Sequence, residues 1–213
     1  NGFYSFSDPI FKATFLRFAE AFARGHIVLS DLYSNTQVMT GEVLSGIGSS
    51  AAILYYNDTV TYEDGTSEPM QLTVLPLPHV AGKQPRITQA GVGLCAYKTT
   101  SQKAEAAAVF VKWLTEPQRN LDFACEAGYM PVTNGAFDEI DAHTFRSEAY
   151  RALYTALEEA TADAAVVSEQ QSPDYYSRIY AFYDMLRTEQ KSFGADRDAA
   201  ATAADLWRRL GGT

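Results

Sequence analysis

The sequence predicts a mixed α/β fold. Short apolar runs bounded by glycine and proline read as buried strands, and longer windows with apolar residues every three or four positions read as amphipathic helices. From Gln89 to Thr133 the two patterns follow in the order strand, helix, helix. With 213 residues, 46% hydrophobic and 13% aromatic, the chain can build a substantial core in one or two lobes.

The first helix opens at Asp8-Pro9, an N-cap followed by a proline in the first turn. Phe11, Phe15, Phe18, Ala19 and Phe22 line its apolar face, and Gly25 closes it. His26 is expected at the surface. Thr36 to Met39 predicts a short helix carrying Gly41, and Glu42 to Gly48 a strand. Ala51 to Tyr56 then reads as a helix opening after Gly48-Ser49-Ser50. Backbone N–H groups at a helix start point outward unpaired, and two hydroxyls there both donate and accept. Ser49 and Ser50 are therefore either ligand-contacting residues or simply caps.

Asp64-Gly65 marks a hairpin turn after Val60-Thr61-Tyr62. Gln71 to Pro78 predicts a strand ending in prolines, and His79 to Arg86 a polar hinge or crossing loop with Gly82 and Pro85. Gly91 either admits close backbone approach to a ligand or starts a strand or bulge. Gly91 to Tyr97 is the expected central strand. The Gly91/Gly93 pair lacks the third glycine of a dinucleotide fingerprint and precedes its strand, so that motif is rejected.

The next helix is expected to start at Ser101 as N-cap, with Ala107, Phe110, Val111 and Leu114 packed on the central strand. Glu116-Pro117 breaks it and starts another, faced by Leu121, Ala124 and Cys125 and ended by Gly128. Tyr129 to Val132 leaves in extended form, because Pro131 restricts Met130. Phe145, Ala149, Leu153, Ala156 and Leu157 mark a further helix, and Thr161 to Ser172 is expected to end as a loop. Ser172-Pro173-Asp174 starts a helix whose inner face is Ile179, Phe182 and Leu186. Tyr176 and Tyr180 form an i, i+4 pair on another face, open to stacking or plain packing. The final helix spans Ala199 to Leu210, with Leu206, Trp207 and Leu210 inward.

The ordered motifs Gly91, Lys112-Trp113-Leu114-Thr115, Glu116-Pro117 and Gly128-Tyr129-Met130-Pro131-Val132, with Gly41-Glu42 upstream, resemble one known family. It is the extracellular solute-binding proteins of bacterial ABC importers, of the maltose-binding-like type that takes up sugars and glycerol phosphates. The resemblance covers most of the chain, more loosely toward the C-terminal helix. It implies a two-lobed type II periplasmic-binding-protein-like fold, present here as a C-terminal fragment with an incomplete first lobe. Residues 1–85 would belong to the second lobe, residues 86–133 would return to the first, and residues 134–213 would complete the second. The implied function is capture of a carbohydrate or glycerol-phosphate-type solute in an inter-lobe cleft and delivery to an ABC permease in the membrane. The implied place is extracellular or periplasmic, on a lipoprotein anchor borne by a preceding segment. The missing N-terminal half, or a swapped chain, is an expected partner, because an incomplete lobe leaves apolar surface uncovered. The resemblance and the residue chemistry together nominate Ser49, Ser50, Gly91, Tyr129, Tyr176, Arg178 and Tyr180 as ligand-binding residues. For Tyr129 the competing role is to plug the helix end.

The net charge of −9 argues against nucleic acid or an anionic membrane as the main partner. Cys95 and Cys125 are expected as free thiols, small and buried; a disulfide is the alternative for an exported protein. No metal or cofactor site is expected, because no histidine or further cysteine stands at ligand spacing. Acidic pairs such as Asp138-Glu139 and Glu158-Glu159 are adjacent, so they do not face each other on a helix. With no nucleophile or P-loop motif either, an enzyme is not the expected reading. A ligand-independent interaction domain and a glycan-active enzyme stand as alternatives.

Overall fold

The structure, a computed structural model, describes residues 4–91, 93–97, 100–168, 173–194 and 196–213. Among them are eight α-helices: α1 (Pro9–Ala23), α2 (Ser34–Met39), α3 (Ser101–Leu114), α4 (Pro117–Ala127), α5 (Asn134–Phe137), α6 (Glu148–Asp163), α7 (Tyr175–Gln190) and α8 (Ala199–Leu210). Four short strands accompany them: β1 (Thr59–Thr61), β2 (Ser67–Pro69), β3 (Arg86–Gln89) and β4 (Ala165–Ser168). Short 3-10 helices cover Ser50–Tyr55 and Ile140–Ala142. Contacts divide the chain into two compact units, Asn1–Asp31 with Gln170–Thr213, and Leu32–Glu169. No helix of the described residues is long and apolar enough to cross a membrane.

The first unit is an all-helical core. Asp8 caps α1 by accepting from the amides of Ile10 and Phe11, at 2.8 and 3.4 Å. Gly25, at φ 74°, follows the helix in the left-handed region a glycine enters freely. Phe15, Ala19 and Phe22 pack with Leu186 of α7 and with Ala203, Leu206 and Trp207 of α8. Each large side chain buried this way contributes about 1.5–3 kcal/mol. The Gln190 carboxamide closes this core by pairing with both backbone groups of Leu29, at 2.8 and 2.9 Å.

The second unit mixes helix and sheet. β1 and β2 form an antiparallel hairpin whose turn holds Gly65 at φ 83°, with Asp64 accepting from the Thr66 amide at 2.9 Å. β3 and β4 pair in parallel, Arg86 opposite Ala165. The core gathers Leu121, Ala124 and Cys125 of α4, Tyr150, Leu153 and Tyr154 of α6, and Ile53, Ala136 and Ile140.

Several expectations are corrected here. Residues 93–97 are not a strand; the paired segment lies earlier, at β3, and Leu94, Cys95 and Tyr97 are exposed. A strand needs a partner for its ladder, and none is offered among the described residues. Consequently α3 has no buried residue: Phe110 is 51% and Trp113 46% exposed. These two rings stack on each other at 5.9 Å, and the Arg119 guanidinium lies 4.4 Å over Trp113. The α3 cap is Thr100, not Ser101; its side chain accepts from the Lys103 amide at 3.3 Å. Glu42 to Gly48 and Gln71 to Pro78 form no strand either. In the latter, Leu72 and Val74 still turn inward onto the core. The expected helix opening after Ser50 is a 3-10 turn. Ala165–Ser168, within the segment Thr161 to Ser172, is β4, which the sequence did not indicate; the loop expected at the end of that segment, 169–172, lies outside the described residues.

Candidate functional site

In the second unit a turn held by several contacts forms where α4 ends. Pro117 occupies the first turn of α4, and Asn120, Leu121, Ala124 and Cys125 are its buried face. Gly128 terminates it at φ 67°, and the Tyr129 amide turns back to the Ala124 carbonyl at 3.0 Å. This is the C-terminal capping pattern that glycine permits.

Three further contacts hold the turn. The Tyr154 hydroxyl, from α6, donates to the Tyr129 carbonyl at 2.9 Å. The Val132 amide donates to Asn120 Oδ1, also at 2.9 Å. Pro131, between them, is fully buried. The backbone of Tyr129 is thus tied inward while its side chain faces out, the residue being 40% exposed.

Gly128 also brings this turn against the 3-10 helix at Ser50–Tyr55. A Cβ at Gly128 would lie 2.8 Å from Ala51 Cα and 3.3 Å from Ile53 Cγ2. Ser50 and Tyr129 are therefore each one residue from a backbone-to-backbone contact. Ser49 is extended at φ −72°, ψ 161°, and its side chain does not cap the helix. Its carbonyl takes the Ala52 amide at 2.9 Å, while its side chain is exposed. The simple capping role is thereby removed for Ser49.

Gly91 follows β3, and Tyr176, Arg178 and Tyr180 lie on α7. Gly91 is exposed two residues past β3, and a Cβ there would meet nothing within 4 Å, so local packing does not demand a glycine. Tyr176, Arg178 and Tyr180 belong to the first unit. The Tyr176 and Tyr180 rings stack along α7 with centroids 6.4 Å apart, and Arg178 pairs with Asp174 at 3.6 Å. Ile179 and Phe182 are half-buried and Leu186 is buried on the inner face of α7, as the spacing predicts.

Two residues that position the turn, Asn120 and Tyr154, were not among the nominated ones. Their signals were faint. Asn120 is a polar residue in register with Leu121, Ala124 and Cys125, and Tyr154 adjoins the apolar face through Leu153. Burial raises the Tyr154 hydroxyl well above its ordinary value, with the Cys125 thiol alongside adding to the effect. Burial likewise raises Cys125. Burial disfavours the charged form of each, so both groups stay neutral at physiological pH. Cys95 is a free exposed thiol and Cys125 a free buried one; the expectation of burial fails for Cys95, which has no covering element among the described residues.

The turn and the 3-10 helix both fall inside residues 19–150, which match the family described as bacterial extracellular solute-binding protein, more than half of the chain. No curated protein and no solved structure matches the chain.

Proposed function

The chain belongs to the bacterial extracellular solute-binding proteins, and from that premise we propose that it captures a carbohydrate or glycerol-phosphate-type solute. The family assigns it a solute-binding role in ABC-type transport, outside the cytoplasmic membrane, with a small solute and an ABC permease as partners. Such proteins bind and hand over solutes and in general are not enzymes.

The observation that carries the proposal is the fixed turn at Gly128–Val132: it holds the Tyr129 backbone inward, leaves its side chain exposed, and brings Gly128 against Ala51 of the 3-10 helix. A tyrosine offers a flat apolar face and one hydroxyl, matching the mixed surface of a sugar ring. Ser49 and Ser50, at the start of that 3-10 helix, are proposed to supply hydroxyls to the same ligand. Tyr176, Arg178 and Tyr180 are proposed as a second set of contacts: a stacked tyrosine pair for a sugar, a guanidinium for a phosphate. Gly91 is kept as a ligand-approach position on the family resemblance alone.

The proposed fold is the two-lobed type II arrangement, with residues 86–133 in the first lobe and the flanking segments in the second. The expected packing of α3 on the 91–97 segment is absent among the described residues, so this fold requires that Val109, Phe110 and Trp113 be covered by another segment of the polypeptide or by a partner chain.

The test is a thermal-shift screen of neutral oligosaccharides, glycerol phosphates and their phosphodiesters. A saturable rise in melting temperature with one class identifies the solute. Tyr129→Ala should then weaken binding by roughly 1–3 kcal/mol while the circular dichroism spectrum is unchanged. Undiminished affinity in Tyr129→Ala removes the turn from the site.

A further inference from the structure

We propose that Tyr154 and Asn120 are positioning residues, which present Tyr129 to solute by clamping the turn that carries it. This rests on the reading of Tyr129 as a solute contact. The two clamps come from different helices, α6 and α4, and grip the turn at its two ends. Tyr154 is fully buried and Asn120 is 4% exposed, so both polar groups have left water. Leaving water is unfavourable for a hydroxyl and a carboxamide unless each finds a partner. Here each partner is a backbone group of the same five-residue turn: the Tyr129 carbonyl for Tyr154, and the Val132 amide for Asn120.

The geometry separates the clamp from ordinary core packing. An apolar side chain at either position would fill the same volume. It would leave the Tyr129 carbonyl or the Val132 amide without its partner and free the turn to rotate. Pro131 is buried between the clamps and keeps the middle of the turn in place, so loosening either end is expected to let the Tyr129 side chain take more than one orientation. Gly128 adds a third restraint: it holds the turn against Ala51, which leaves the Tyr129 ring as the part that moves.

The test uses the whole chain with 3-fluorotyrosine introduced at position 129, read by fluorine NMR, and calorimetry with maltotriose as the probe. In the parent protein one fluorine resonance is expected. Tyr154→Phe, which keeps the ring and removes the hydroxyl, should broaden or split it. It should also weaken maltotriose binding roughly five-fold, the scale of one buried hydrogen bond. In a Tyr129→Ala background the same change should have no further effect on affinity, which a purely structural role would not produce. Asn120→Leu should act like Tyr154→Phe, and Asn120→Asp, which keeps the acceptor, should restore the single resonance. That pair decides the matter if Tyr154→Phe does not fold. An unchanged resonance in both Tyr154→Phe and Asn120→Leu overturns the proposal. So does an affinity loss that is the same with and without the Tyr129 ring. If maltotriose does not bind the parent protein, the carbohydrate reading fails for that probe, while the fluorine spectra still decide the clamp.

Discussion

Gly128 approaches the Ala51 backbone so closely that a methyl group at Gly128 would stand 2.8 Å from Ala51 Cα. The same glycine has φ 67°. Two separate requirements thus meet at one position, left-handed backbone and absence of a side chain. Gly25 has the first requirement alone: its φ is 74°, and a Cβ there meets nothing within 4 Å. Gly25→Ala should therefore lose roughly 1–2 kcal/mol from the backbone conformation. Gly128→Ala should lose that and about 1–3 kcal/mol more from overpacking. Urea denaturation of the two variants checks the difference; equal losses would show that the Ala51 contact gives way without cost.

Alkaline stability should follow Tyr154 and Cys125. Burial raises both above their ordinary values of 10.0 and 9.0. The unfolded chain therefore releases these protons at lower pH than the native protein does, and the stability they confer is full below about pH 9 and falls as pH rises further. Melting temperature should decline above that point. Tyr154→Phe, which has no hydroxyl to ionise, should show a shallower decline. An identical slope in the variant would exclude Tyr154 as a cause.

Thiol labelling distinguishes the two cysteines. Cys95 is exposed and free, so a thiol reagent should modify it in the native protein at neutral pH. Cys125 is buried and its thiol is held protonated by that burial, so it should react only after unfolding. Mass spectrometry should find one adduct in native protein and two in denaturant. Two adducts without denaturant would contradict the packing around α4.

Core and surface substitutions should separate α4 from α3. Leu121 is fully buried, so Leu121→Ala should cost about 2–5 kcal/mol. Phe110 is half-exposed and stacked only on Trp113 among the ring contacts described, so Phe110→Ala should cost less than about 1.5 kcal/mol. Chemical denaturation gives both values. A Phe110→Ala loss as large as that of Leu121→Ala would mean that α3 is covered in solution.

What the sequence by itself determined is mostly local. The cap at Asp8, the proline at the start of α4, the glycine at its end, the Asp64-Gly65 hairpin and the inner faces of α1, α4, α7 and α8 could all be read in order. Each depends on residues within a turn or two of one another, where side-chain chemistry and helical period act directly. The motif order from Gly91 to Val132 likewise carried the family resemblance, and Tyr129 was legible through the glycine and proline that frame it.

The tertiary structure alone decided the rest. β3 finds its partner in β4, a segment with no strand signal read in it, while the more apolar run at 93–97 finds none and stays unpaired among the described residues. A strand is defined by a neighbour, and apolar character does not say where the neighbour is. The hydroxyl of Tyr154 reaches a carbonyl 25 residues away in sequence, and Asn120 reaches an amide across the end of its own helix. Such bonds leave no period in the chain. They exist because chain folding carries a buried donor to the backbone group that would otherwise lack a partner.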